Sequence, residues 1–342
     1  MRGTFLLAVI MLLPHAARAQ EREEPLIAKL AETFRSEQLT LGVLLQTVAD
    51  VQIERTLPGS SGFSIANFRL LLHGQLDGGF GYWLQANFVN APAILDAMMS
   101  YRVSRSFAFD AGQFKTPFSY EFLTLASSID FVNRSQAVTA LAPGRQIGLQ
   151  ARFNDRSSTV AAQVGAFNGN GTRPNGNDNN NLLYAGRVVV TPRLSTDEGD
   201  RRLVVGVNAA YSEDDGSTFG DGFVTDFVGA RTHVGGDVRF QFDRWLLSGE
   251  LLYAALRPTV GIARDPWGFH ATAGYSFTPE MQALLRFDGF QPDDGGERRD
   301  VIILGFNAWP TSVTEFQINY LIDTRDAAVD HHQTLVNFQF GF

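Results

Sequence analysis

The chain has 342 residues, 33 of them glycine, no cysteine and a formal net charge of −8. The absence of cysteine excludes a disulfide framework and a thiolate metal centre. The acidic balance argues against nucleic-acid binding, which asks for a basic face. Lys29 and Lys115 are the only lysines, so arginine carries nearly all the positive charge.

The chain opens with Arg2, an apolar run over residues 5–13 and the small-x-small triplet Ala17-Arg18-Ala19. The run is too short to span a bilayer, which takes roughly 20 apolar residues. The arrangement predicts an export signal over residues 1–19 and a mature chain beginning at Gln20. Over residues 20–38, Leu26, Ile27, Leu30 and Phe34 sit at helical spacing among charges, which reads as a periplasmic N-terminal tail or a short amphipathic helix. No later apolar run reaches the length of a spanning helix. The exported chain is therefore expected to be a soluble protein outside the cytoplasm or a β-barrel.

From Leu39 the hydrophobic period becomes two. Leu41, Val43, Leu45 and Thr47 share a face opposite Gly42 and Gln46, and Phe68, Leu70 and Leu72 lie opposite Asn67, Arg69 and His73. Asp77-Gly78 makes a tight turn. Tyr82, Leu84 and Ala86 then oppose Trp83, Gln85 and Asn87, and Ala97, Met99 and Tyr101 oppose Asp96, Ser100 and Arg102. For roughly thirty residues within 112–152 the alternation stops, a length of irregular chain that is uncommon unless it is functional. It resumes with Ile147, Leu149 and Ala151, followed by segments near 160–166, 182–193 and 203–211. Residues 168–181 and 213–221 read as solvated loops. Alternating segments continue near 234–242, 247–253, 269–277, 282–288, 301–308, 314–322 and 334–342.

This pattern predicts an all-β fold: a transmembrane antiparallel β-barrel of about 16 strands over residues 39–342. Short turns near 77, 104, 156, 243, 279 and 311 alternate with longer loops near 57, 130, 175, 220, 262, 295 and 327. Such barrels keep short turns on the periplasmic side and long loops outside. Two connections break the alternation, a long turn at 194–201 on the periplasmic side and a short loop at 91–93 on the outer side; the irregular stretch at 115–144 is then the third outer loop, expected to fold into the lumen. Inside lipid only a helix or a closed barrel satisfies the backbone, and a barrel of about this size leaves an aqueous channel. Trp83, Tyr101, Trp245, Tyr253, Trp267 and Tyr275 are candidates for the aromatic girdles. The chain ends on Phe342, in the manner of the terminal recognition signal of outer-membrane barrels.

The block Gly112-Gln113-Phe114-Lys115-Thr116-Pro117-Phe118 resembles the phosphate-selective porin family (O and P type). So do Phe131-Val132-Asn133-Arg134-Ser135 and Ala142-Pro143-Gly144-Arg145-Gln146-Ile147-Gly148. The resemblance is specific over about residues 62–153. It implies a bacterial outer-membrane porin, a homotrimer of sixteen-stranded barrels with the third loop turned inward, passing small anions such as phosphate. Lipid and lipopolysaccharide would be its surroundings. The family's constriction lysines are represented here by Lys115 alone, so the resemblance implies a porin more strongly than it implies phosphate selectivity.

Lys115, Arg134 and Arg145 on or beside the loop, with Arg69, Arg187 and Arg286 on the wall, are the expected pore-constriction and anion-contact residues. Glu121, Asp130, Glu250 and Asp288 are the expected counter-charges. Arginine rings favour anions and acidic rings favour cations; both signs line this lumen. Anion preference, a weakly cation-selective general channel and mutual neutralisation all remain open at this point. Lys115, Arg134 and Arg145 have an alternative role, tying the loop down through Glu121 and Asp130. No nucleophile motif or metal-ligand spacing supports an outer-membrane enzyme, and no cofactor is implied. His331-His332 with Asp323, Asp326 and Asp330 reads either as a divalent-ion ligand set or as a solvated loop. A soluble exported all-β binding protein would want shorter strands and a second buried face.

Overall fold

Strands with one apolar and one polar face must shield the apolar one from water, and a closed barrel does this by turning it toward lipid. The computed structural model shows this closure. It describes residues 36–342 except 55, 56, 60, 90, 91, 173–175, 178, 195–200, 294 and 327. The export signal, most of the 20–38 segment and most of the long turn at 194–201 lie outside the described residues.

Sixteen antiparallel strands, each paired with its sequence neighbours, form a closed barrel that β1 and β16 seal. They are β1 Thr40–Gln52, β2 Gly62–Gln75, β3 Phe80–Asn87, β4 Ala93–Arg102, β5 Phe107–Lys115, β6 Arg145–Asn154, β7 Val160–Phe167 and β8 Leu183–Val190. The second half comprises β9 Arg201–Phe219, β10 Val224–Phe242, β11 Trp245–Pro258, β12 Trp267–Thr278, β13 Met281–Gln291, β14 Arg299–Thr311, β15 Thr314–Asp323 and β16 Gln333–Gly341. The sealing register sets Thr47 opposite Phe338 and Ala49 opposite Val336.

The two faces differ as the period-two pattern requires. Leu149 and Val164 are 64% and 62% exposed on the outer surface, while Gln150, Arg187, Asn208 and Asn337 are buried inside the wall. Exposed Tyr101, Trp245 and Tyr253 sit on the outer face, with Trp245 packed on Tyr275 at 4.8 Å. Trp83 does not join them. It faces the lumen and stacks on His73 at 5.0 Å.

The expected loop at 213–221 is instead the top of a tall hairpin. β9 and β10 each run 19 residues, about 60 Å at the strand rise of roughly 3.3 Å per residue, well beyond a bilayer core. Buried Ser212, Asp214 and Ser217 lie on the hairpin's inner face, so Asp214 serves pairing there rather than a free loop. Arg231 reaches Asp214 at 2.5 Å and lies over the Phe219 ring at 4.4 Å.

Residues 116–144 fold inward and carry two short helices, α1 Tyr120–Leu123 and α2 Gln136–Leu141. Phe118, Val138 and Leu141 from this loop pack on Phe167, Leu183, Leu252, Ala254 and Leu256 from the inner face of β7, β8 and β11. A second apolar cluster joins Phe131 to Leu246, Leu284, Val301 and Ile303 on β11, β13 and β14.

Gly112 marks the strand that leads into this loop. Its φ is +126°, and an added Cβ would collide with the Ala97 carbonyl of β4. Such a backbone costs a side-chain-bearing residue about 1–3 kcal/mol. Gly112→Val is expected to lower the temperature at which the barrel loses its compact mobility on a detergent gel. An unchanged transition would show that the β4–β5 pairing tolerates the side chain.

Candidate functional site

The inward loop is held by side chains that the barrel wall presents to backbone groups. Glu250 on β11 accepts the amides of Tyr120 at 3.1 Å and Glu121 at 3.3 Å, at the start of α1. Asp288 on β13 accepts the amide of Gln136 at 3.1 Å, at the start of α2. These carboxylates supply the acceptors that a helix's first amides lack. Across the lumen, Gln46 binds the Ala126 carbonyl, Gln339 that of Ser127 and Gln317 that of Ile129, at 3.2, 3.1 and 3.0 Å. Asn307 donates to the Asp130 carbonyl and Asn319 accepts from the Val132 amide. The loop thus touches the wall from β10 round to β1.

Two ion pairs reinforce this path. Arg286 reaches Glu121 at 2.7 Å, both buried, with the Arg286 guanidinium 4.2 Å from the Phe131 ring centre. Burial alone would raise the Glu121 pKa; the Arg286 charge and hydrogen bond, with His270 and the Ser135 amide, together outweigh it and hold the carboxyl down at about 2. Arg239 pairs with Asp130 at 2.7 and 3.1 Å.

On the opposite side of the passage the cations gather. Lys115 and Arg145 are direct cross-strand partners at the roots of the loop, a like-charged pairing that is unfavourable unless each finds other partners. Arg145 finds Asp96 on β4, at 2.9 and 3.1 Å, and reaches Gln85 on β3 at 3.3 Å. Lys115 turns to the end of α1, donating to the carbonyls of Phe122 at 2.5 Å and Thr124 at 3.0 Å. Arg134, from the loop, donates to the carbonyls of Glu121 at 3.0 Å and Thr124 at 2.7 Å. Among the described residues, Arg69 on β2 hydrogen-bonds only the Asn67 side chain, at 2.8 Å. These four cations lie within electrostatic reach of one another, with Asp96 as the carboxylate among them. Burial lowers the Arg134 pKa; Glu121 opposes that shift and the Arg145 charge adds to it. Arg69, Lys115, Arg134 and Arg145 are all half-buried, so each keeps a face toward solvent.

The structure thus brings together four of the six expected contact residues and separates the other two. Arg187 is buried in a bidentate pair with Asp237, at 2.5 and 2.8 Å, and Arg286 is buried with Glu121. Each is buried and neutralises an acid on the wall or loop. The counter-charges Glu121, Asp130, Glu250 and Asp288 anchor the loop rather than facing the cations across open water. The tie-down role expected for Lys115, Arg134 and Arg145 is also differently built. Lys115 and Arg134 use backbone carbonyls, and Arg145 uses Asp96.

Two features escaped the sequence reading. Asp96 was assigned only to the lumen face, and its pairing with Arg145 needs the register that sets Gln85 opposite Asp96. The inner core was signalled by Leu251-Leu252-Tyr253-Ala254-Ala255-Leu256, where both faces of a strand turn apolar. At the outer loops, His331 bridges Glu54 at 2.9 Å and Asp326 at 2.5 Å. Among the described residues no group of three or more His, Asp or Glu has a metal-holding arrangement.

A family model described as phosphate-selective porin O and P matches residues 46–254. No curated protein matches by sequence. Among solved structures, an anion-selective porin from Comamonas acidovorans is similar with a TM-score of 0.66 at 16% identity, covering 89% of this chain and 99% of that one. OprB of Pseudomonas putida gives a TM-score of 0.63 at 12% identity, covering 89% and 94%. The trimer form of OmpT, an outer-membrane protein of Vibrio cholerae, gives 0.58 at 10%, covering 89% and 99%.

Proposed function

This chain belongs to the phosphate-selective porin O and P family and is a passive channel of the bacterial outer membrane, and from that premise we propose that it prefers anions and selects them at the constriction between β2–β6 and Arg134. The observation that carries this reading is the asymmetry of charge. The acids beside the loop are consumed as anchors inside the wall, whereas Arg69, Lys115 and Arg145 gather around Asp96 with Arg134 beside them. A permeating anion that replaces part of its hydration with these donors gains where a cation is repelled. There is no chemical step; solutes move down their own gradient.

The supporting comparison is the Comamonas acidovorans structure, itself anion-selective. Assembly as a homotrimer is part of the proposal, supported by the trimer form of OmpT and by the exposed apolar outer belt, which also suits lipid and the acyl chains of lipopolysaccharide.

The test is the reversal potential in a planar bilayer under a potassium chloride gradient, repeated with phosphate replacing chloride. The expected result is anion preference, with phosphate at millimolar concentration depressing the chloride current. A reversal potential at zero or of the cationic sign, from folded heat-modifiable protein, would overturn the anion reading. Anion preference without any phosphate effect would leave a general anion channel.

A further inference from the structure

Water-filled lumens are lined with polar groups, so apolar side chains that remain exposed there need a reason. Below the cation cluster, toward the short-turn end of the barrel, a cavity of about 480 Å³ is lined by Leu71, His73, Trp83, Gln85 and Leu125, with Glu315 on its far side. Leu125 stands on the constriction loop and is 46% exposed. Trp83 and His73 are cross-strand partners stacked at 22° between ring planes, forming a flat surface on the lumen wall.

This apolar shelf is continuous with the cations. Arg69, Leu71 and His73 succeed one another on the inner face of β2, with Asn87, Gln85 and Trp83 opposite them on β3. Each step is two residues, about 7 Å. Gln85, between the two zones, is touched by Arg145 at 3.3 Å. From the other side, Leu125 directly follows Thr124, whose carbonyl receives both Lys115 and Arg134. Glu315 accepts hydrogen bonds from Gln339, at 3.0 Å, and from Trp309.

We propose that the constriction and this shelf together form a subsite for small aromatic carboxylates, the carboxylate held by Arg69 and Arg145 and the ring lying on Leu71, Trp83 and Leu125. The proposal rests on the anion reading above and adds the substrate class. A bare inorganic anion uses only the cationic half. An aliphatic carboxylate as small as acetate reaches the donors but leaves the shelf in water. A benzoate-sized ion fills both, gaining the stacking and burial that an aromatic face provides.

The experiment is titration of the chloride current through the reconstituted full-length channel with sodium benzoate, sodium acetate and inorganic phosphate, using wild type, Trp83→Ala and Leu125→Ser. Benzoate is expected to depress the current at a concentration roughly tenfold lower than acetate. Trp83→Ala should bring the two together while leaving the potassium chloride reversal potential and the phosphate response unchanged. Leu125→Ser, at an exposed loop position, should weaken the benzoate effect in the same direction and decides the matter if Trp83→Ala yields no folded barrel. Equal block by benzoate and acetate in an anion-preferring wild type would overturn the subsite and leave the anion channel intact. So would a benzoate preference that survives Leu125→Ser and, where it folds, Trp83→Ala. A channel with no anion preference would fail the underlying reading, and a benzoate effect found in it would overturn the charged half of the subsite.

Discussion

Arg69→Glu combined with Arg134→Glu is expected to invert the selectivity of the channel, turning an anionic reversal potential into a cationic one. A unit charge about 7 Å from a permeating ion contributes on the order of 0.6 kcal/mol in bulk water. Screening at 0.1 M salt, where the Debye length is about 10 Å, reduces this by roughly half. The term acts with opposite sign on anion and cation, so each unit charge shifts their ratio by about threefold. The two substitutions change four unit charges, which multiplies to a shift on the order of eightyfold. Arg134 also supports α1 through two carbonyls, so Arg69→Glu alone is the cleaner variant. It disturbs only the hydrogen bond to Asn67 and should give about a ninefold shift by the same arithmetic. Arg257→Gln, in an exposed pair with Asp265 at the outer end of β11, should leave selectivity where it was. Folded Arg69→Glu protein with an unaltered reversal potential would show that the cluster does not face the ion path.

What the sequence revealed and what it hid divide along physical lines. The strands were legible because lipid and water impose opposite demands on alternate residues, and this two-residue period needs no partner to be read. The inward loop was legible from the same rule, as the place where the period lapses. The partners of the lumen charges were not legible. Arg69, Arg187 and Arg286 look alike in a strand, yet Arg187 meets Asp237 two strands away and Arg286 meets Glu121 from the loop, while Arg69 meets neither kind of acid. Such pairing depends on register and on the loop's path, which no local pattern encodes. The β9–β10 hairpin failed for a related reason. Its acidic, glycine-rich tip has the composition of a solvated loop, but Asp214 faces Arg231 across a closed hairpin. Trp83 was placed in the girdle from its residue type, against its own position among the inward-facing residues of β3. Its stack on His73 shows that parity along a strand outranks the general preference of tryptophan for interfaces.

Arg286→Met should free the constriction loop, and the channel should become more conductive and noisier. Arg286 is 1% exposed and holds Glu121 at 2.7 Å, donates to Thr272 at 3.1 Å and lies over Phe131. Removing it leaves Glu121 buried beside Glu250 and Asp288 without the guanidinium that pairs its carboxylate. Breaking one partner out of a buried pair costs about 3–5 kcal/mol, comparable to the several hydrogen bonds that hold α1 and α2 to the wall at about 1 kcal/mol each. The loop therefore gives way before the barrel does, because the sixteen-strand ladder is untouched. Replacing both partners, Arg286→Met with Glu121→Gln, removes the unpaired charge and should recover most of the wild-type conductance, since a neutral pair of similar volume often substitutes for a buried ion pair. Acid provides the same test without mutation. The Glu121 carboxyl is lowered from 4.5 to about 2, so its anchorage is complete above the higher value and is lost as the pH falls through the lower one. Noise that grows only near that lower limit in wild type, and that is present at neutral pH in Arg286→Met, would identify this pair as the clasp. Quiet, wild-type conductance in the single variant would show that Glu250, Asp288 and the wall amides hold the loop without it.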